Sequence, residues 1–218
     1  MKNETFKRIL SSLILLPIAL FFIIEGSLLF NFFILIFFLI TSYEWHKMSK
    51  KKPYYLLGFV FLILSFYTVL ELRNFEGNYI YFLSIVTICV STDVGGYIFG
   101  KIFKGPKLTK ISPKKTYAGM IGGFFLSIIS INLFFNFTYL FPSEVKITSD
   151  ILIFVILIST VSQFGDIFIS YFKRLSKIKD TGKIIPGHGG LLDRIDGMIF
   201  SFPFSYIIIS QNIFNFAL

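Results

Sequence analysis

Residues 150–175 read DILIFVILISTVSQFGDIFISYFKRL. The run is apolar from Ile151 onward, broken only by small polar groups and Asp166, and Lys173 and Arg174 close it. A run of this length crosses the ~30 Å hydrocarbon core of a bilayer as a helix. Similar runs lie near 9–24, 27–43, 54–70, 78–100, 118–141 and 192–214, with this one at 150–172. The pattern predicts an all-α, polytopic integral membrane protein of about seven transmembrane helices. The first run, flanked by Lys7 and Arg8, reads as a span and not a signal peptide, because no small-residue cleavage site follows Ile23-Ile24-Glu25-Gly26.

Composition agrees. Of 218 residues, 55% are hydrophobic and 15% charged, and the mean hydropathy is +0.76. A soluble domain needs more polar surface than that, and disorder is excluded by the apolar content. The single cysteine, Cys89, forms no internal disulfide. Two histidines make no zinc cluster.

The net charge of +9 is unevenly placed. Nineteen of the 21 basic residues fall in alternate loops: the N-terminus, 47–52, 101–115 and 173–194. Arg73 and Lys146 alone occupy the other loops, beside Glu25, Glu71, Glu76, Glu144 and Asp150. The positive-inside rule then predicts a cytoplasmic N-terminus and an external C-terminus. Residues 101–115 carry six lysines and no acid, which suits either anionic lipid headgroups or a polyphosphate. Nucleic acid is not expected as a partner, since no recognised module is present and the basic groups sit in short loops.

Acids gather at the predicted cytoplasmic edge. If the helix continues, Asp166, Ser170, Lys173 and Arg174 stand at i, i+4, i+7 and i+8, on one face. An ionisable group inside a span is costly and faces a cavity or a partner. Asp193 and Asp196 open the last span at i and i+3. They are either metal ligands or helix-start residues paired with Arg or Lys. Three carboxylates near phosphate-binding lysines suit Mg²⁺. Asp93 is either a structural hydrogen-bonding group or a support to the site. Gly96/Gly100 and Gly119/Gly123 are small-xxx-small pairs that let helices approach closely. The turn Pro186-Gly187-His188-Gly189-Gly190 is permissive enough to bring backbone N–H groups to an anion. His188 is a phosphate contact or simply a turn residue.

Residues 170–196 fill every fixed position of S-x-x-K-R-x4-K-D-x-G, H-G-G and D-R-x-D: Ser170, Lys173, Arg174, Lys179, Asp180, Gly182, His188, Gly189, Gly190, Asp193, Arg194 and Asp196. This resembles the motif of the phosphatidate cytidylyltransferases, or CDP-diacylglycerol synthases. The upstream stretch is similar too: Asp93, Gly95-Gly96, Gly100-Lys101, Ile111 to Thr116, Gly119 and Gly122-Gly123. One departure is Ala118, where family members often carry Glu or Gln. The likeness covers about residues 84–210. It implies transfer of the cytidylyl group of CTP to phosphatidate, giving CDP-diacylglycerol and pyrophosphate, with Mg²⁺ as cofactor (two ions in the fullest version, the second divalent or monovalent). It also implies a bacterial inner membrane location with the active site facing the cytoplasm, in contact with membrane lipids, and, with the glycine pairs, a homodimer. The roles it implies are these. Lys173, Arg174 and Lys179 neutralise the triphosphate, Asp180 orients Lys179 or a substrate hydroxyl, and His188 closes over the phosphates. Asp93, Ser112, Lys114, Lys115, Thr116, Gly189, Gly190 and Arg194 bind substrate. Asp166, Asp193, Asp196 and Ser170 ligate the metal. Residues 1–80 are then N-terminal transmembrane helices, and 81–218 a catalytic membrane region.

Two other readings fit part of the pattern. A transporter would use Asp93 and Asp166 as path residues, but the charges cluster on one side and no inverted repeat of broken helices is seen. A cytidylyltransferase acting on another lipid phosphate would share the scaffold and differ in its acceptor, and a CTP-dependent lipid kinase would pass the γ-phosphate of CTP to the lipid instead of the α.

Overall fold

The computed structural model describes residues 13, 17–75, 79–137, 148–184 and 189–214. Its helices are α1 (Ser27–Ser49), α2 (Tyr55–Asn74), α3 (Ile80–Phe103), α4 (Tyr117–Phe137), α5 (Ser149–Leu175), α6 (Leu192–Ile195) and α7 (Met198–Ser210), and residues 17–25 are also helical. Among the described residues there is no strand, only an isolated bridge between Lys107 and Thr116. The chain is an all-helical, polytopic membrane protein: α1 to α5 are each long and apolar enough to span a bilayer.

Among the described residues five helices reach spanning length, where seven spans are expected. Part of the expected first span, 9–24, lies outside the described residues, and its stretch from residue 17 is helical. The expected seventh, 192–214, is interrupted. Asp196 and Gly197 separate α6 from α7, and α7 has 13 residues, about 20 Å of helix, too short to cross the hydrocarbon core by itself. The expected span 27–43 is too short in the other direction, for α1 runs on to Ser49.

Large apolar side chains point outward, as a lipid solvent requires; Leu28, Leu56, Leu57 and Val60 are all about 70% exposed. Serine and threonine hydroxyls are buried instead, and many bond back to their own helix, as Ser49 does to the Trp45 carbonyl at 2.6 Å. With no water at that depth, such internal satisfaction is what the bilayer demands.

The chain divides into two compact units. One comprises Met1–Tyr79 with Tyr171–Asp196, the other Ile80–Ser170 with Gly197–Leu218. In the first, α2 buries Gly58, Leu62, Ser65, Phe66, Val69, Leu72 and Arg73, a helical stripe along one face. Gly58 lies against the Trp45 indole, leaving no room for a Cβ. The indole N–H of Trp45 donates to the Tyr55 carbonyl at 3.1 Å, and its ring meets Phe172 edge-on. At the far end of α2 the buried Arg73 guanidinium donates to the Ile23 and Ile24 carbonyls. It also lies over the Phe30 and Tyr79 rings. The turn there needs glycine: Gly26 has φ 65° and abuts Arg73.

In the second unit α3 and α4 approach backbone to backbone. A Cβ on Gly119 would stand 2.7 Å from the Gly96 carbonyl oxygen, and one on Gly95 would strike the Gly122 carbonyl. The small-residue pairs do what their spacing predicts. Thr92 of α3 donates to Ser159 of α5 at 2.8 Å, and Phe82 stacks on Phe202 of α7.

Candidate active site

The motif segment is organised by two buried acids. Lys173, on the last turns of α5, places its ammonium 2.9 Å from Asp193 Oδ1 and 3.6 Å from Asp196 Oδ2. The helical i, i+3 spacing of the two aspartates is what turns both toward one cation. All three side chains are at least nine-tenths buried. The other oxygen of Asp193, Oδ2, accepts from the backbone N–H of Thr181 at 2.8 Å and of Gly190 at 3.0 Å. Gly189, at φ 91°, packs beside that carboxylate and beside Asp180, where a Cβ would stand 3.1 Å from Asp193 Oδ2. The glycines thus let the backbone close on an acid.

The second acid was not foreseen from the sequence. Glu44 of α1 is 1% exposed. Its Oε2 accepts from the Thr181 hydroxyl and the Leu192 N–H, each at 2.8 Å, and its Oε1 from the Leu191 N–H at 3.0 Å. Both oxygens accept, the pattern of a carboxylate. Gly182 and Gly190 press against it without room for side chains. The signal that could have found it was a lone acid at the end of an apolar run.

The second unit carries its own charged cluster. The lysine-rich loop is folded, not slack: Leu108 N–H donates to the Lys115 carbonyl at 2.8 Å, Lys115 N–H to the Ser112 carbonyl at 3.0 Å, and Tyr117 N–H to the Pro106 carbonyl at 3.2 Å. Positive φ at Lys104 and Gly105 turns the chain into it. It delivers Lys115 to Asp166 Oδ2 at 2.6 Å and to the Gln163 carbonyl at 3.3 Å. Asp166 Oδ1 accepts from the Ser170 hydroxyl at 3.3 Å. Thr116 Oγ1 accepts from Gly119 N–H at 3.1 Å, capping α4.

The predicted site residues therefore fall into two sets and a remainder. Lys173, Asp193 and Asp196 come together with Gly189 and Gly190. Lys115, Asp166 and Ser170 come together separately. Arg174 is exposed and donates to the Ile178 carbonyl at 3.0 Å. Lys114, Lys179, Asp180, Arg194 and Asp93 are exposed, Ser112 and Thr116 half-buried. His188 lies outside the described residues. No group of three His, Cys, Asp or Glu side chains gathers as a metal cage among the described residues. The donor chemistry nevertheless fits a hard cation. Two carboxylate oxygens converge on the one positive charge of Lys173, and hard oxygen donors are what Mg²⁺ takes.

Apolar helices of spanning length with buried acid–lysine clusters define an integral membrane protein built around charged chemistry. A model of the cytidylyltransferase family matches residues 53–211, and the chain belongs to that family. It is 35% identical over 206 residues to the phosphatidate cytidylyltransferase of Rickettsia typhi, covering 93% of this chain and 90% of that protein. The Rickettsia felis phosphatidate cytidylyltransferase is 34% identical over 212 residues, covering 95% and 93%. The one from Staphylococcus aureus strain COL is 35% identical over 182 residues, covering 80% and 67%.

Proposed function

We propose that this protein is a phosphatidate cytidylyltransferase: it transfers the cytidylyl group of CTP to phosphatidate, giving CDP-diacylglycerol and pyrophosphate. The observation that carries this reading is the likeness to proteins of that name over nine-tenths of both chains. The buried Lys173–Asp193–Asp196 cluster within the motif supports it. A phosphate oxygen of phosphatidate attacks the α-phosphorus of CTP, the new P–O bond forms, and the α–β anhydride bond breaks to release pyrophosphate. Phosphatidate is already anionic at neutral pH, so charge neutralisation and in-line positioning matter more than a protein nucleophile or strong base.

The roles follow cluster by cluster. Asp193 and Asp196 would hold Mg²⁺ in the first unit, and Asp166 with Ser170 would be metal ligands in the second. When bound, the metal supplies charge neutralisation on the reacting phosphates. Lys173 and Arg174 hold the triphosphate, with Lys179 as a mobile exposed partner. Lys114 and Lys115 do the same from the folded loop, where Ser112 and Thr116 shape the turn. Gly189 and Gly190, whose turn closes on Asp193, join His188 as contacts for the substrate phosphates. Asp180 and Arg194 orient groups of the substrate, and Asp93 is a further substrate-binding residue. The basic loops support a reading in which this chemistry faces the cytoplasmic side of a bacterial inner membrane, with the N-terminus on that side and membrane lipids as surroundings. A homodimer belongs to the same reading through the family resemblance, since the α3–α4 glycines pack against each other within the chain.

The test uses purified protein in detergent with phosphatidate, Mg²⁺ and CTP labelled on the α- or γ-phosphate. The α label passes to the lipid phase and the γ label leaves as pyrophosphate. Transfer of the γ label to lipid would make the protein a kinase instead. EDTA abolishes the reaction and Asp193→Asn lowers it by ~100-fold or more; full activity in either case would overturn the metal assignment.

A further inference from the structure

We propose that Glu44 is a positioning residue for the reaction, fixing the motif segment so that Asp193 keeps its place. The inference rests on the reading of Asp193 as part of the reaction centre. Glu44 comes from α1 and is remote in sequence from the motif, yet three donors of the motif segment end on it: the Thr181 hydroxyl and the N–H groups of Leu191 and Leu192. Those donors all precede Asp193 in the chain, at Thr181 and again at the two residues directly before it. Thr181 gives its hydroxyl to Glu44 and its backbone N–H to Asp193 Oδ2. Gly190, whose N–H is the other donor to that oxygen, packs directly on the Glu44 carboxylate. Leu192 precedes Asp193 itself. One buried carboxylate thus holds both stretches of the segment, at Thr181 and at 190–192, whose amides orient the second.

A glutamine cannot replace it. The Leu191 and Leu192 N–H groups can only donate, one to each carboxylate oxygen, so in either orientation an amide would turn its own N–H₂ toward one of them and leave two buried donors opposed. Nor can a shorter acid reach all three without moving the segment. Because Glu44 acts through Asp193 and touches no substrate, its loss lowers turnover more than nucleotide affinity.

The experiment compares wild type with Glu44→Gln, Thr181→Val and Thr181→Ser in detergent, by steady-state kinetics and by amide hydrogen exchange. For Glu44→Gln, kcat falls ~10-fold or more while KM for CTP stays within about twofold. In the same variant the amides of 189–193 exchange ~10-fold faster or more, with α2 and α4 unchanged. Thr181→Val shifts both readouts the same way by a smaller factor, and Thr181→Ser, which keeps the hydroxyl, restores them. Wild-type kcat and exchange in Glu44→Gln would overturn the proposal. So would a rise in KM at unchanged kcat, or a loss of protection spread evenly over all helices, the sign of a purely structural acid. Should wild type transfer no cytidylyl group, the proposed function fails by itself, while exchange at 189–193 still decides whether Glu44 fixes the segment.

Discussion

Lys173 is the residue on which the motif cluster turns. Its ammonium answers two buried carboxylates at once, so Lys173→Met takes the shared positive charge from both. Removing one partner of a buried pair costs about 3–5 kcal/mol, and the melting temperature in detergent falls accordingly. Activity is lost in the same variant, while Arg174→Met, at an exposed position, leaves the melting temperature nearly unchanged and lowers only activity. A like melting loss for both would show that the cluster contributes nothing special. Gly190→Ala belongs to the same scale. Its Cβ would enter the space of the Thr181 hydroxyl and the Glu44 carboxylate, and overpacking of this kind costs ~1–3 kcal/mol.

Among the elements, α3 and α4 give the sharpest contrast. Gly95→Ala drives a Cβ into the Gly122 backbone carbonyl, whereas Gly96→Ala meets only the Gly119 oxygen at an ordinary 3.7 Å. Neighbouring glycines thus predict opposite outcomes: a loss of ~1–3 kcal/mol for Gly95→Ala, and a neutral or slightly stabilising change for Gly96→Ala, since alanine favours helix by ~1 kcal/mol. Thermal unfolding of the two variants side by side checks this. The glycine spacing was legible because close packing needs small residues at fixed intervals. The i, i+3 pairing of Asp193 and Asp196 was legible for the same periodic reason. Other features were not. Hydropathy ended α1 at the first acid, so the helix lost its last turn and Glu44 passed unnoticed; its charge is tolerated there only because distant donors satisfy it. The Lys115–Asp166 pair joins residues far apart in sequence, and no local pattern encodes which lysine of six makes it. The break between α6 and α7 was not legible, because apolar content continues past Asp196-Gly197 and both residues keep helical dihedrals.

At the scale of the whole molecule, the basic loops predict sidedness. In spheroplasts or inside-out vesicles, Lys110→Cys reacts with an impermeant maleimide only from the cytoplasmic face. The native Cys89 is buried and contributes little background. Labelling from the outer face would reverse the orientation. The first unit has a further consequence, because its sequence is discontinuous: the donors to Glu44 lie 137 to 148 residues after it. Bacterial ribosomes add ~5–20 residues per second, so Glu44 enters the bilayer roughly 7–30 s before its partners are synthesised. The N-terminal helices must therefore be held in a provisional state throughout insertion. A chain cut short upstream of Thr181 lacks all three of the donors that answer Glu44 in the complete fold.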